Sequence, residues 1–171
     1  MEKKDLDWGN IGFSYMPTDK RYVANYKDGA WDEGGMTSDP NVVINECAGI
    51  LQYCQEIFEG LKAYTTEDGS IVTFRPDLNA ERMMDSARRL EMPPFPKERF
   101  LEAVDQVVKA NAAWVPPFGS GATLYLRPYM FATGPVIGVK PSQEYQFRLF
   151  GTPVGPYFKG GAKPLTLCVS D

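Results

Sequence analysis

The stretch FEGLKAYTTEDGSIVTFRPDLNAERMMDSARRLE, residues 58–91, decides the fold because its periodicity changes halfway along. Phe58–Thr65 and Ile71–Phe74 flank the turn sequence Glu67-Asp68-Gly69-Ser70, which predicts a β-hairpin. Arg75-Pro76-Asp77 follows, and proline and aspartate are both favoured in the first turn of a helix. The stretch therefore predicts a strand pair that leads directly into a helix.

Two helices are predicted in the middle of the chain. The first helix is predicted to reach about Glu91, before Pro93-Pro94, and its apolar positions are Leu78, Met83, Ala87 and Leu90. A second helix is indicated by apolar residues at helical spacing and ends before Pro116-Pro117. Its predicted buried face consists of Phe100, Leu101, Val104, Val107, Val108 and Ala112.

Strands are predicted on both sides of these helices. Arg21–Lys27 alternates polar and apolar residues and precedes Asp28-Gly29, which predicts a hairpin to about Trp31. A loop over Asp32–Asn41 and a strand over Val42–Ile44 are expected next. Three later segments are predicted as strands, namely Ala122–Thr133, Glu144–Pro153 and Pro164–Val169. The fold class is therefore α+β, an antiparallel sheet with two main helices.

Composition excludes several classes of function. The 171 residues carry a net charge of −4 without a basic cluster, which argues against nucleic acid or an anionic membrane as a partner. No stretch is apolar enough to span a membrane or to act as a secretory signal, so we expect a cytoplasmic protein. The chain has no histidine, which excludes Ser-His-Asp hydrolysis and most zinc sites, and no metal site is expected. Its three cysteines are expected to be reduced.

A few residues could bind a ligand, although spacing alone favours structural roles for them. Tyr125 and Arg127 lie two apart in a predicted strand, so they project from one face and could bind a carboxylate. Phe58, before Glu59-Gly60, could wall a pocket, and Tyr53 lies close by in the sequence. Arg82 could bind a phosphate or could be a surface arginine.

Taken in order, four segments resemble the branched-chain amino-acid aminotransferases, which are pyridoxal 5'-phosphate (PLP) enzymes of fold type IV. These segments are LQYCQEIFEGLKAY, TFRPDLNAERMMDSARRLEMP, TLYLRPYMFATGPVIGV and GTPVGPYFKGG. The resemblance implies that residues 1–171 form the small N-terminal domain of such an enzyme. It also implies exchange of an amino group between Leu, Ile or Val and 2-oxoglutarate, which gives branched 2-oxo acids and glutamate.

The resemblance assigns a role to each matching residue. Arg82 matches the arginine that binds the PLP phosphate, and its methionine-rich surroundings are expected to exclude water. Tyr125 and Arg127 match a pair that recognises substrate carboxylates. Phe13, Phe58 and Tyr157 match aromatic walls of the substrate pocket. Tyr53 and Val139, the latter in the loop at residues 134–141, match residues that reach the neighbouring active site of a homodimer.

No catalytic residue is expected within this chain. In the family, the Schiff-base lysine and the acid that pairs with the pyridine nitrogen belong to a larger C-terminal domain, and none of the ten lysines here matches that position. The strand-like segment PLTLCVSD runs to Asp171, so we expect the polypeptide to continue. The chain alone is therefore predicted to be inactive.

Two alternatives remain open at this point. A D-amino-acid aminotransferase or an aminodeoxychorismate lyase would share the fold, but the pattern FRPDLNAERM at residues 74–83 favours the branched-chain type. A free-standing binding or scaffolding domain that has lost catalysis would explain the missing lysine.

Overall fold

The computed structural model describes residues 2–157 and 164–169 of the chain. Its strands are β1 (Arg21–Lys27), β2 (Ala30–Trp31), β3 (Gly35–Thr37), β4 (Glu56–Phe58), β5 (Leu61–Thr65), β6 (Ile71–Thr73), β7 (Thr123–Ala132) and β8 (Tyr145–Val154). Its helices are α1 (Gly49–Tyr53), α2 (Pro76–Arg89) and α3 (Lys97–Ala110). The predicted α+β class, with two main helices and an antiparallel sheet, is confirmed.

All eight strands belong to one antiparallel sheet in the order β2-β1-β8-β7-β5-β6. Strand β3 pairs with β1, and β4 pairs with β7. The centre of the sheet is the long pairing of β7 with β8, from Thr123 opposite Val154 to Ala132 opposite Tyr145. Within the described residues, the first strand therefore pairs with the last, since Tyr22 lies opposite Leu149.

Both hairpins predicted from turn chemistry are present. Tyr26 pairs with Trp31 across the turn at Asp28-Gly29, where both turn residues have positive φ angles of 53° and 83°. Such angles define the turn type that matches strand twist, and Asp-Gly is a preferred sequence for it. The second hairpin joins β5 to β6, with Ala63 opposite Thr73.

Helices α2 and α3 cover one face of the sheet. Phe100 and Val107 of α3 are fully buried beside Phe147 and Leu149 of β8, and Phe95 stacks on Phe147 with a centroid distance of 3.9 Å. Burying side chains of this size contributes about 1.5–3 kcal/mol each to the free energy of folding. Because this face is covered, the opposite face of β7 and β8 is left to form a site.

Several sequence predictions were wrong in detail. The expected loop at Asp32–Asn41 contains β3, and the expected strands at Val42–Ile44 and Pro164–Val169 are irregular. Helix α1 was not predicted. Leu78 and Leu90, predicted on the buried face of α2, are exposed, and Ala80 takes part in the core with Met83 and Ala87.

No helix within the described residues is both long and apolar enough to cross a bilayer.

Candidate functional site

The uncovered face of β7 carries alternating aromatic and basic side chains. Leu124 and Leu126 are fully buried on the helix side, as predicted, whereas Tyr125 and Arg127 lie on the other face. Tyr129 continues this row, because side chains two apart in a strand share a face. Phe150 pairs with Arg127 and Thr152 with Tyr125, which extends the row onto β8.

These side chains line a cavity of about 360 Å³. The wall is predominantly aromatic, and the residues that form it are Phe13, Ser14, Tyr15, Glu56, Tyr125, Arg127, Tyr129, Phe150, Thr152 and Val154. A cavity of this size and chemistry suits a small ligand with an apolar part and a charged end.

Arg127 is the cationic group of this cavity. Its guanidinium lies over the ring of Phe58, 4.4 Å from the centroid, and its Nη2 donates a hydrogen bond to the Tyr125 hydroxyl at 2.9 Å. The Nε atom is buried without an acceptor, and Arg127 forms no ion pair with a carboxylate in the described residues. Because Nη1 makes no hydrogen bond within the described residues, the guanidinium keeps donors available for an anionic ligand.

Phe13 and Tyr157 extend the aromatic wall. Their rings meet edge to face with centroids 5.4 Å apart, and Phe13 lies 6.2 Å from Tyr125. The Gly155 amide donates to the Gly12 carbonyl oxygen at 3.0 Å, which fixes the segment that carries Phe13. The structure thus brings together Phe13, Phe58, Tyr125, Arg127 and Tyr157.

Arg82 lies outside the cavity and is paired with Glu59, for which the sequence predicts no partner. Its Nε and Nη2 atoms donate to the two carboxylate oxygens of Glu59 at 2.7 and 2.5 Å. This fork raises the pKa of Arg82, first through the hydrogen bonds and then through the charge of Glu59. The side chain of Arg82 is 67% exposed and Met83 points into the core, so the prediction that methionines exclude water from Arg82 was wrong for this chain.

Tyr53 and Val139 do not reach the cavity. The Tyr53 hydroxyl donates to the backbone oxygen of Ile137, in the same loop as Val139. The bridge between Ala48 and Pro135 and the hydrogen bond from the Val136 amide to the Cys47 oxygen hold this loop beside α1. Val139 is 89% exposed. The two residues that the resemblance assigns to a neighbouring active site therefore lie side by side, on α1 and on the loop that contacts it.

Sequence reasoning missed, among others, Tyr129 and Phe150 of the cavity wall and Glu59, the partner of Arg82. The signal for Tyr129 was present, because it continues the two-residue spacing of Tyr125 and Arg127. Burial raises the pKa of Tyr129, so its hydroxyl stays protonated and able to donate. Predicting Phe150 requires the register of β7 with β8, and predicting the role of Glu59 requires the position of α2. Neither can be read from local sequence.

Curated relatives cover almost the whole of this chain. A branched-chain-amino-acid aminotransferase from Haemophilus influenzae is 54% identical over 168 residues, which are 98% of this chain and 49% of the relative. The chain belongs to the branched-chain-amino-acid aminotransferase family. A Helicobacter pylori member is 48% identical over 92% of this chain and 46% of its own length, and a chloroplastic Arabidopsis thaliana member is 46% identical over 98% and 40%. The chain thus spans about half the length of the family members it matches.

Solved structures of branched-chain aminotransferases share this fold. The enzyme from Thermoproteus uzoniensis, crystallised with norvaline, superposes with a TM-score of 0.65 at 23% identity, over 83% of this chain and 43% of that one. The Escherichia coli enzyme gives a TM-score of 0.63 at 22% identity, over 82% and 41%. At these identities the likeness establishes the fold alone. No protein-family model matches the chain.

Proposed function

We propose that this chain is the substrate-binding half of a PLP-dependent branched-chain aminotransferase. The proposed reaction moves an amino group from L-leucine, L-isoleucine or L-valine to 2-oxoglutarate and yields branched 2-oxo acids and L-glutamate. The observation that carries the proposal is the cavity in which aromatic rings surround Arg127, a guanidinium without a carboxylate partner in the described residues.

The cavity can accommodate both kinds of substrate side chain. Phe13, Tyr125 and Phe150 offer apolar contact to a branched side chain, whose burial contributes about 1.5–3 kcal/mol. Arg127 and the Tyr125 hydroxyl can bind the second carboxylate of glutamate or 2-oxoglutarate. The same site would therefore serve both halves of the exchange.

Arg82 of α2, with its partner Glu59, fits the phosphate of PLP. Glu59 uses Nε and one hydrogen of Nη2 on Arg82, and Nη1 makes no hydrogen bond within the described residues. Arg82 can therefore bind a phosphate while it remains paired with Glu59. When bound, PLP supplies an electron sink for amino transfer.

We propose that a second, lysine-bearing half completes the site. None of the lysines in the described residues lines the cavity, and Lys159 and Lys163 lie outside those residues. We also propose a homodimer, in which Tyr53 of α1 and Val139 of the loop after β7 cap the cavity of the other copy.

The test is an assay of the full-length gene product and of residues 1–171 alone. We expect the full-length protein to convert L-leucine and 2-oxoglutarate, and the 171-residue chain to be inactive. Conversion of D-alanine or aminodeoxychorismate without L-leucine would assign another activity of this fold. No PLP binding by the full-length protein would favour a binding or scaffolding role.

We propose a cytoplasmic location. All three cysteines are free, the state that a reducing compartment maintains. Fractionation of cells that express the full-length product would test this location, and enrichment in another compartment would contradict it.

A further inference from the structure

Glu59 is a buried carboxylate between apolar neighbours on the face of the sheet that the helices cover. Ile57, Glu59 and Leu61 alternate with exposed neighbours and face the helices together, and the Glu59 side chain is only 4% exposed. An ionised carboxylate in such a place is costly unless charged and polar groups satisfy it. The burial of the Glu59 carboxylate is therefore explained by the groups that bind it.

Two residues from α2 satisfy the Glu59 carboxylate. Arg82 forms the two-point fork, and Asn79, one helical turn earlier, donates from Nδ2 to Glu59 Oε2 at 2.8 Å. Asn79 also reaches the Gly60 carbonyl oxygen at 3.3 Å. A fork between a guanidinium and a carboxylate fixes the plane of both groups, so Glu59 determines where the free edge of the Arg82 guanidinium points.

The backbone at Glu59 is held in place as well. Its amide donates to the Pro128 carbonyl oxygen at 2.8 Å, which continues the pairing of β4 with β7. Its neighbours contact the cavity wall, since Phe58 stacks on Arg127, and a Cβ on Gly60 would lie 2.5 Å from the Tyr125 hydroxyl. Glu59 is thus joined to the substrate-binding face through its backbone and to Arg82 through its side chain.

We propose that Glu59 is a positioning residue that fixes the Arg82 guanidinium relative to the substrate cavity, so that Arg82 can bind the phosphate of PLP. This inference rests on the proposed function, because it concerns the same cofactor site. Without Glu59, Arg82 would be a solvated side chain with free rotamers, and phosphate binding would have to order it.

The test compares PLP with pyridoxal, which lacks the phosphate, for binding to the cofactor-free full-length protein by equilibrium dialysis. In Glu59→Gln, the amide keeps the shape but presents hydrogen-bond donors to the donors of Arg82 or Asn79. We expect PLP affinity to fall about tenfold, as it does when outer partners of binding groups are lost. Pyridoxal affinity should stay unchanged.

A matched control exists on the same helix. Asp77→Asn removes an equivalent fork, in which Arg75 Nε and Nη2 contact the Asp77 carboxylate at 2.9 and 2.7 Å, and it touches neither Arg82 nor the cavity. We expect Asp77→Asn to bind PLP like the unmodified protein. In an Arg82→Leu background, Glu59→Gln should cause no further loss, because its effect passes through Arg82.

Three results would overturn the inference: unchanged PLP affinity in Glu59→Gln, an equal loss for pyridoxal, or an equal loss in the Arg82→Leu background. If Glu59→Gln does not fold, Asn79→Ala takes its place, and unchanged PLP affinity in that variant overturns the inference. A full-length protein that binds PLP but fails to use L-leucine contradicts the proposed reaction alone. A protein that does not bind PLP overturns both.

Discussion

At the scale of single residues, two arginines with different roles are held in different ways. Arg127 is held by aromatic rings and a hydroxyl, and it forms no ion pair within the described residues. Arg82 is held by a carboxylate, which fixes its orientation while two thirds of the side chain stays in water. The first arrangement suits recognition of an anion that must bind and leave, and the second suits a fixed anchor.

Arg127→Lys tests the first arrangement. Lysine keeps the charge but loses the planar fork and the stacking on Phe58. Because charge-assisted hydrogen bonds contribute about 1.5–3 kcal/mol, kcat/KM of the full-length enzyme for 2-oxoglutarate should fall by about 10- to 100-fold. The value for a branched 2-oxo acid, which has one carboxylate fewer, should fall less. Equal losses for both substrates would contradict this assignment.

The exposed fork of Arg75 and Asp77 predicts a pH effect. Hydrogen bonds from Arg75 lower the pKa of Asp77 from 3.8 to about 2. A lowered pKa in the folded state means that the stabilisation is complete above pH 3.8 and is lost as the pH falls through about 2. The difference in urea midpoint between the unmodified chain and Asp77→Asn should therefore shrink from pH 6 to pH 2.5.

Arg75→Gln is the matching control for this pH effect. In this variant, the Asp77 carboxylate should titrate near its ordinary value in an NMR experiment, because its donor is gone. A midpoint that stays near 2 would show that another group lowers the pKa of Asp77.

At the scale of elements, the site depends on an interruption between two strands that share one partner. Phe58 of β4 lies opposite Tyr129, and Leu61 of β5 lies opposite Leu126, so both strands follow a single register along β7. Pro128 faces the gap and has no N–H to return the hydrogen bond that it accepts from Glu59. The interruption therefore follows from a proline on the facing strand.

The segment that carries Phe13 depends on Gly155. A Cβ at position 155 would overlap the backbone carbonyl oxygen of Ile11, so Gly155→Ala must displace that segment. Overpacking of this kind costs about 1–3 kcal/mol, and we expect a lower urea midpoint and faster proteolysis near Phe13. Gly138→Ala is the control, since a Cβ there meets nothing within 4 Å. Equal stability of the two variants would contradict the prediction.

Elements with strong local chemistry were predictable from the sequence. The Asp28-Gly29 turn, the strands around residues 66–70 and both long helices came from turn residues and periodicity. Helix α1 has five residues, too few for a periodic signal, and β3 exists because β1 offers it an edge. Val42–Ile44 has residues with high strand propensity but no pairing partner in the described sheet. A strand predicted there from propensity alone was therefore wrong.

The candidate site was predictable where one strand or a family pattern places its residues. Tyr125 and Arg127 share a face by spacing alone, whereas the contact of Arg127 with Phe58 needs the pairing of β4 with β7. The Arg82–Glu59 pair joins positions 23 residues apart through helix packing. Contacts of this kind depend on tertiary structure, which local patterns do not encode.

At the scale of the whole molecule, several apolar side chains near α1 and in the loop after β7 are uncovered. Around α1 and the loop after β7, Val43 is 96% exposed, Ile137 75% and Val139 89%. Apolar residues grouped in this way are typical of surfaces that associate with another protein. We therefore expect this surface to contribute to the proposed homodimer.

Sedimentation velocity of the full-length protein tests this surface. The double variant Ile137→Ser and Val139→Ser should weaken self-association, because it removes apolar area that the dimer would bury. Val72→Ser, on the edge strand β6, is the control for an exposed valine elsewhere. If the double variant and the control both dimerise like the unmodified protein, the interface lies on another surface.

The pairing of β1 with β8 has a consequence for synthesis on the ribosome. Tyr22 cannot meet Leu149 until nearly the whole described chain has been translated. At translation rates of about 5–20 residues per second, the nascent β1 waits on the order of 10 s for its neighbour. During that interval Tyr22 and Tyr26 of β1 can pair only with β2 and β3, and the edge of β1 that meets β8 stays unpaired, so the nascent chain is most open to chaperone binding before β8 emerges.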